Sequence, residues 1–169
     1  MFAAATQIGE GFEGSGPNAA HVNTVLGRKG SPVETAWATA LATPRLGHAP
    51  FVVVLRPNLP VKPLTLFVNK ADVRGEQHER MTWGPAQAGV AAGVAAAVAD
   101  GVVPAAEVGD LLVLAAVWVD WAADDAALVY ANNRAAIADA LTAGAAGLPR
   151  VEDVVAARDD PSNPFFDGP

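Results

Sequence analysis

The sequence contains no cysteine. That absence removes disulfide bonds, thiolate metal sites and a cysteine nucleophile together. Aromatic side chains make up only 7% of the 169 residues and charged ones only 17%. Positive charge is the scarcer sign, with 11 Lys and Arg against 18 Asp and Glu and a formal net charge of -7. Nucleic-acid surfaces draw affinity from Lys and Arg that neutralise phosphates, so this balance argues against one. Arg28-Lys29 and the Arg56 to Lys62 stretch are isolated and build no basic cluster. Met1 to Glu10 lacks a basic segment followed by a long apolar one, so no secretory leader is expected there. Long apolar runs are also missing. The longest uncharged run, Met81 to Ala99, is broken by Thr82, Pro85, Gln87 and glycines and carries alanine where a membrane span carries leucine. A buried helix is expected there, and a cytoplasmic protein without a membrane segment.

What is present is alanine, 37 residues of it, within a hydrophobic fraction of 51%. Such a chain is too apolar for disorder. Its length fits one domain with a short tail, divided here as residues 1–157 and 158–169. Alanine buries little area per residue, so contacts between subunits are a permitted way to bury more.

Patterning gives the order β-β-α-β-β-α-β-α. Gln7 to Phe12 and His21 to Leu26 read as strands separated by a Gly-rich turn. Ser31, Pro32 and Glu34 form a capping box with proline at the first helical position, opening a helix to Ala42. The apolar run Phe51 to Leu55 reads as a central strand, Arg56 to Pro63 as a stiff proline connector, and Thr65 to Val73 as a strand. A polar loop holding Gly75 and His78 is expected before Trp83-Gly84-Pro85 opens a helix to Asp100, capped by Gly101. A short helical turn over Pro104 to Asp110, a strand over Leu111 to Val119, and a last helix capped by Asp124 and ending near Leu141 complete the domain. Gly144 to Pro169 reads as a surface tail. This order specifies an α/β fold, a mixed-sheet sandwich with helices on one side.

Residues two apart on a strand share a face. His21 and Asn23 therefore point one way, and Val22 and Thr24 the other. Lys70 and Asp72 are expected to share a face at the end of their strand. Gln87 is expected in the first turn of the long helix, beside free backbone N–H groups. An imidazole, two amides, an ammonium and a carboxylate at element ends are ordinary material for a small-molecule site. They are equally the ordinary polar ends of strands, and Lys70 with Asp72 could be a surface ion pair of little consequence. The three histidines show no metal-ligand spacing, so no metal site is expected. No dinucleotide fingerprint, Walker lysine or nucleophile elbow occurs.

Several stretches carry a resemblance: Ile8-Gly9-Glu10-Gly11, Gly16-Pro17-Asn18-Ala19-Ala20-His21-Val22, and Gly30-Ser31-Pro32-Val33-Glu34-Thr35-Ala36. Others are Pro57-Asn58-Leu59-Pro60-Val61-Lys62-Pro63, Val68-Asn69-Lys70, Gly84-Pro85-Ala86-Gln87-Ala88-Gly89-Val90-Ala91, and Asp110-Leu111-Leu112 onward. In these the chain resembles the formaldehyde-activating enzymes, which condense formaldehyde with tetrahydromethanopterin to methylene-tetrahydromethanopterin and water. The resemblance implies a fold like domain 2 of ribosomal protein S5 and a homopentamer with sites between subunits. It implies His21 as the catalytic general acid, and Asn23, Val52, Lys70, Asp72 and Gln87 as contacts to the pterin. It also implies a lyase of one-carbon metabolism or formaldehyde detoxification, with tetrahydromethanopterin as co-substrate and no tightly bound cofactor. A non-catalytic relative that binds formaldehyde or a pterin is the alternative. Asn23 stands where the family usually has Asp, and Asp72 where it usually has Thr, which changes donors, acceptors and charge around the ligand.

Overall fold

The computed structural model describes residues 6–168. Met1 to Ala5, part of the segment read above for a leader, and Pro169 lie outside the described residues. Strands β1 (Thr6–Glu13) and β2 (Ala20–Arg28) form an antiparallel pair joined through a short 3-10 turn at Gly16–Asn18. Helix α1 (Pro32–Ala42) starts where the capping box places it, with the Ser31 hydroxyl accepting from the Val33 N–H.

The run from Phe51 is not a central strand. It divides into β3 (Phe51–Val52) and β4 (Val54–Arg56), and β3 lies at the edge of the main sheet. Val53 is the hinge: its N–H donates to Thr65 O at 2.9 Å, while its carbonyl accepts from Val61 N at 3.2 Å. Within the run only Val53 is fully buried; Phe51, Val52 and Val54 are half-buried and Leu55 is exposed, so the run does not lie between partners on both sides. The proline-rich connector is likewise a small hairpin of β4 with β5 (Leu59–Pro60), turned by Asn58 at φ 65. Asn tolerates that left-handed conformation better than other L-residues.

β6 (Leu64–Asn69) ends earlier than its pattern suggests. The Asn69 side chain donates to Gly47 O at 2.7 Å and Ala71 O at 2.6 Å, and Val73 N–H then bonds Gly47 O, so the chain leaves the sheet. The expected polar loop is a helix, α2 (Gly75–Met81). It runs through a wide π-helical turn, Thr82–Ala86, into α3 (Gln87–Ala99). Pro85 supplies no N–H, and the widened turn accommodates it inside a continuous helical run. Gly101 ends that run at φ 78, as its position indicates.

β7 (Leu111–Trp118) is the central strand. The main sheet has the order β1-β2-β7-β6-β3, antiparallel except for the parallel pair β6 and β7. This is the mixed sheet expected from the sequence. Helix α4 (Ala126–Ala146) is capped by Asp125, whose carboxylate accepts from Ala127 and Leu128 N–H. Asp124 is instead held by Asn18, which receives the N–H groups of both aspartates on its side-chain oxygen. The final segment holds a further short exposed helix, α5 (Val151–Ala156).

Register sorts the sheet residues into two faces. Gly9, Gly11, Ala20, Val22, Thr24, Val113, Ala115, Val117, Thr65 and Phe67 face the long helices and build the core with Val90, Val94 and Ile137. Gly9 and Gly11 set the distance to α4. A Cβ at Gly9 would stand 1.7 Å from Ala140 O, and one at Gly11 2.1 Å from Ala136 O. Helix and strand approach this closely only because both positions are glycine. α1 packs against β2, β6 and β7. The other face remains partly open.

Candidate active site

Directly opposed residues on paired strands share a face. Phe12 opposes His21, and His21 opposes Trp118. Lys70 continues this row although it follows β6, because its N–H donates to Val117 O at 2.8 Å and extends the parallel ladder by one residue. The next row holds Glu10, Asn23, Ala116 and Val68, and a third holds Val25, Leu114, Leu66 and Val52. His21, Asn23, Val52 and Lys70 are therefore all on the open face. The His21/Asn23 alternation read from the sequence agrees with the burial of Val22 and Thr24 on the opposite side.

A cavity of about 430 Å³ and another of about 950 Å³ divide the expected site residues. The larger is lined by Glu10, Phe12, His21, Lys70, Trp118 and, from the tail, Phe165. Glu10 Oε1 lies 2.9 Å from His21 Nε2. Lys70 Nζ donates to the backbone oxygen of His21 at 3.2 Å. The ring of Phe12 lies 6.0 Å from the imidazole, centroid to centroid. Burial lowers the His21 pKa, the neighbouring Lys70 charge lowers it further, and the Glu10 carboxylate opposes both. Burial also pushes the Lys70 ammonium down to about 8, again against Glu10. Phe165 meets Trp118 edge-on at 6.3 Å while remaining 81% exposed.

The smaller cavity is lined by Val52, Trp83 and Gln87 among others. Gln87 is not at a helix start. Its N–H bonds Gly84 and Thr82 oxygens inside the helical run, so it does not stand at a helix start with its N–H free. Its Oε1 accepts from Val54 N–H at 2.7 Å, which leaves the side-chain NH₂ for a ligand.

Asp72 does not share a face with Lys70, because the strand has already ended. Its carboxylate meets His48 Nδ1 at 3.1 Å and Arg74 at 3.2 Å. Its backbone oxygen accepts from Trp121 Nε1. Trp121 packs against Trp118 at 5.6 Å, so Asp72 reaches the His21 pocket only through two aromatic rings. His78 is no loop residue: it is 2% exposed, accepts from Arg74 N–H and contacts Val119 O through Nε2. Its role is to hold the α2 start against the end of β7.

Glu10 and Trp118 were not singled out by sequence reasoning. The outward alternation of Ile8, Glu10 and Phe12 was a usable signal, but its partner across the sheet depends on register. Among the described residues no three His, Asp or Glu gather as a metal-binding group. No described helix is long and apolar enough to cross a membrane.

Fold and site together define a mixed α/β protein with an imidazole, a carboxylate and a low-pKa amine in a pocket of small-molecule size. The family model for formaldehyde-activating enzyme (Fae) matches residues 8–166. A 5,6,7,8-tetrahydromethanopterin hydro-lyase of Methanosarcina barkeri is 40% identical over 160 residues, 95% of this chain and 90% of that protein. Bifunctional enzymes Fae/Hps of Methanosphaera stadtmanae and Archaeoglobus fulgidus are 37% and 36% identical over 95% and 94% of this chain. The matched region spans only 39% and 40% of those two longer proteins. The chain belongs to the formaldehyde-activating enzyme family.

Proposed function

We propose that the protein condenses formaldehyde with tetrahydromethanopterin, or a related reduced pterin, to the methylene-pterin and water, with His21 as general acid. The observation that carries this reading is the convergence of His21, Glu10 and Lys70 in one pocket, within the stretch that matches the family. A pterin nitrogen adds to the aldehyde carbon, the resulting hydroxyl must leave as water, and that departure needs a proton. An imidazole can supply that proton, and the Glu10 carboxylate favours its protonated form against burial and the Lys70 charge. No tightly bound cofactor enters the reaction, which is redox-neutral, and the setting is cytoplasmic.

Asn23, Val52, Lys70, Asp72 and Gln87 are the proposed pterin contacts. Within one chain they fall into separate groups, with Lys70 in the His21 pocket and Val52 and Gln87 lining the other cavity. A homopentamer that seats one subunit's His21 pocket beside the neighbour's Gln87 cavity would unite them. The open sheet face is apolar at Ile8, Val25, Leu114 and Val68, which favours burial against another copy.

The test is the condensation rate with tetrahydromethanopterin and with tetrahydrofolate, for wild type and His21→Ala. Wild type is expected to accelerate one of them and His21→Ala to lose about 10²–10⁴-fold. Equal rates with and without protein for both pterins would sink the proposal, and saturable binding without acceleration would establish the binding-only alternative.

A further inference from the structure

Lys70 is an unusual amine in this chain. Of the three lysines, Lys29 and Lys62 are exposed, and Lys70 is half-buried. Its Nζ opens into the His21 pocket, where its hydrogen-bond acceptor is a neutral backbone oxygen. No carboxylate of the described residues lies within ion-pairing distance of it, because Glu10 is engaged with the imidazole. A lysine partly withdrawn from water, with no carboxylate in contact and only the weaker opposing pull of Glu10, holds its free-base form at lower pH, the condition under which lysines act as nucleophiles toward carbonyls. The burial that pushes its pKa to about 8 agrees with this geometry.

We propose that Lys70 is a covalent holding site for the aldehyde carbon, forming an iminium with formaldehyde and passing the carbon to the pterin. This rests on the lyase reading above and adds a step to it. The neutral Lys70 amine adds to the formaldehyde carbon, and an amine proton moves to oxygen, giving a carbinolamine. Protonated His21 gives its proton to the hydroxyl, the C–O bond breaks, and water leaves the Lys70 iminium. The first pterin nitrogen forms a bond to that carbon and its proton passes to the Lys70 nitrogen. The carbon–Lys70 bond then breaks, returning the free amine and leaving the carbon as an iminium on the pterin. The second pterin nitrogen closes on it and releases a proton, which restores His21. The sum is one formaldehyde and two N–H hydrogens converted to a methylene bridge and one water, with no oxidant or reductant.

The test uses the full chain without pterin, [13C]formaldehyde and cyanoborohydride at pH 7.5, with methylated lysines located by mass spectrometry. Reduction converts an iminium to an N-methyl amine. An amine titrating near 8 is about one-quarter free base at that pH, against about 0.1% for an ordinary lysine. Lys70 is expected to be labelled at least about tenfold faster than Lys29 and Lys62, and added pterin to suppress that labelling. Equal labelling of the three lysines overturns the proposal. So does Lys70→Arg retaining full acceleration, since it keeps the charge and cannot form the iminium. Turnover without selective labelling removes this step and leaves the lyase reading intact. Selective labelling without acceleration of either pterin leaves aldehyde capture at Lys70 standing and removes the lyase reading.

Discussion

Glu10 and His21 lie on adjacent antiparallel strands, offset by two residues from direct opposition, and their side chains meet diagonally with 2.9 Å between Oε1 and Nε2. Glu10 directly opposes Asn23, so the carboxylate reaches past its own partner to the imidazole. Diagonal neighbours on one sheet face are within reach of long side chains. The contact leaves Nδ1 as the second ring nitrogen available to a substrate.

Glu10→Gln removes the one influence that holds the His21 pKa up. The protonated fraction at neutral pH falls, and the activity limb that declines with rising pH moves to lower pH. The pair is 39% and 59% exposed, which limits its energy to about 1 kcal/mol, or about fivefold in rate at pH 7. A pH–rate profile with an unmoved limb would show that Glu10 does not tune the imidazole.

Lys70→Met is expected to stabilise the protein at pH 7 and not at pH 10.5. The folded pKa of about 8 lies below the ordinary 10.5, so the unfolded chain binds this proton more tightly. The destabilisation is fully present below pH 8 and fades as pH rises toward 10.5. Half-exposure and solvent screening reduce the gain to about 1 kcal/mol. Urea denaturation of both proteins at the two pH values measures it, and a gain independent of pH would contradict the charge-burial account.

Gly11→Ala is expected to lose about 3 kcal/mol or more, because its Cβ would stand 2.1 Å from the Ala136 carbonyl oxygen in α4. Gly84→Ala has open space within the helical run and serves as a control that keeps wild-type stability or gains up to about 1 kcal/mol. If both variants match wild type, the strand–helix contact is not the tight one described.

Phe165→Ala tests the tail as a pocket wall. The ring is 81% exposed, so the melting temperature should stay within about 2 °C, whereas loss of an edge-on aromatic wall should raise the pterin KM by up to about tenfold. A lowered melting temperature with an unchanged KM would make the tail a stability element.

Mixing two inactive variants tests the assembly. If His21 and Gln87 serve one site from different subunits, His21→Ala and Gln87→Ala chains refolded together recover part of the activity that each lacks. Light scattering is expected to give a pentamer. Absence of recovery in mixed pentamers would place both residues in a site within one chain.

Much of this protein was legible in its sequence. Alternation along β2 put His21 and Asn23 on one face because strand periodicity is local. The capping box at Ser31 and the apolar run of β7 were equally local signals. Errors gathered where a distant group won. Asn69 bonds Gly47 and ends β6, which separates Asp72 from Lys70. Asn18 takes Asp124, leaving the helix cap to Asp125. Pro85 is absorbed by a π-turn, so Gln87 sits inside a helix and not at its start.

The sequence by itself determined β1, β2 and β7, the long helices, the family and the polar side chains available for chemistry, because each is written in near-neighbour pattern. Only the tertiary structure decided which of those side chains meet. Strand register aligned Phe12, His21, Trp118 and Lys70 in one row and brought Glu10 to the imidazole. Register follows from pairing partners far apart in the chain, and burial of Lys70 follows from that pairing. Cysteine is absent from the sequence, and packing gathers an imidazole, a carboxylate and an amine in one shared pocket.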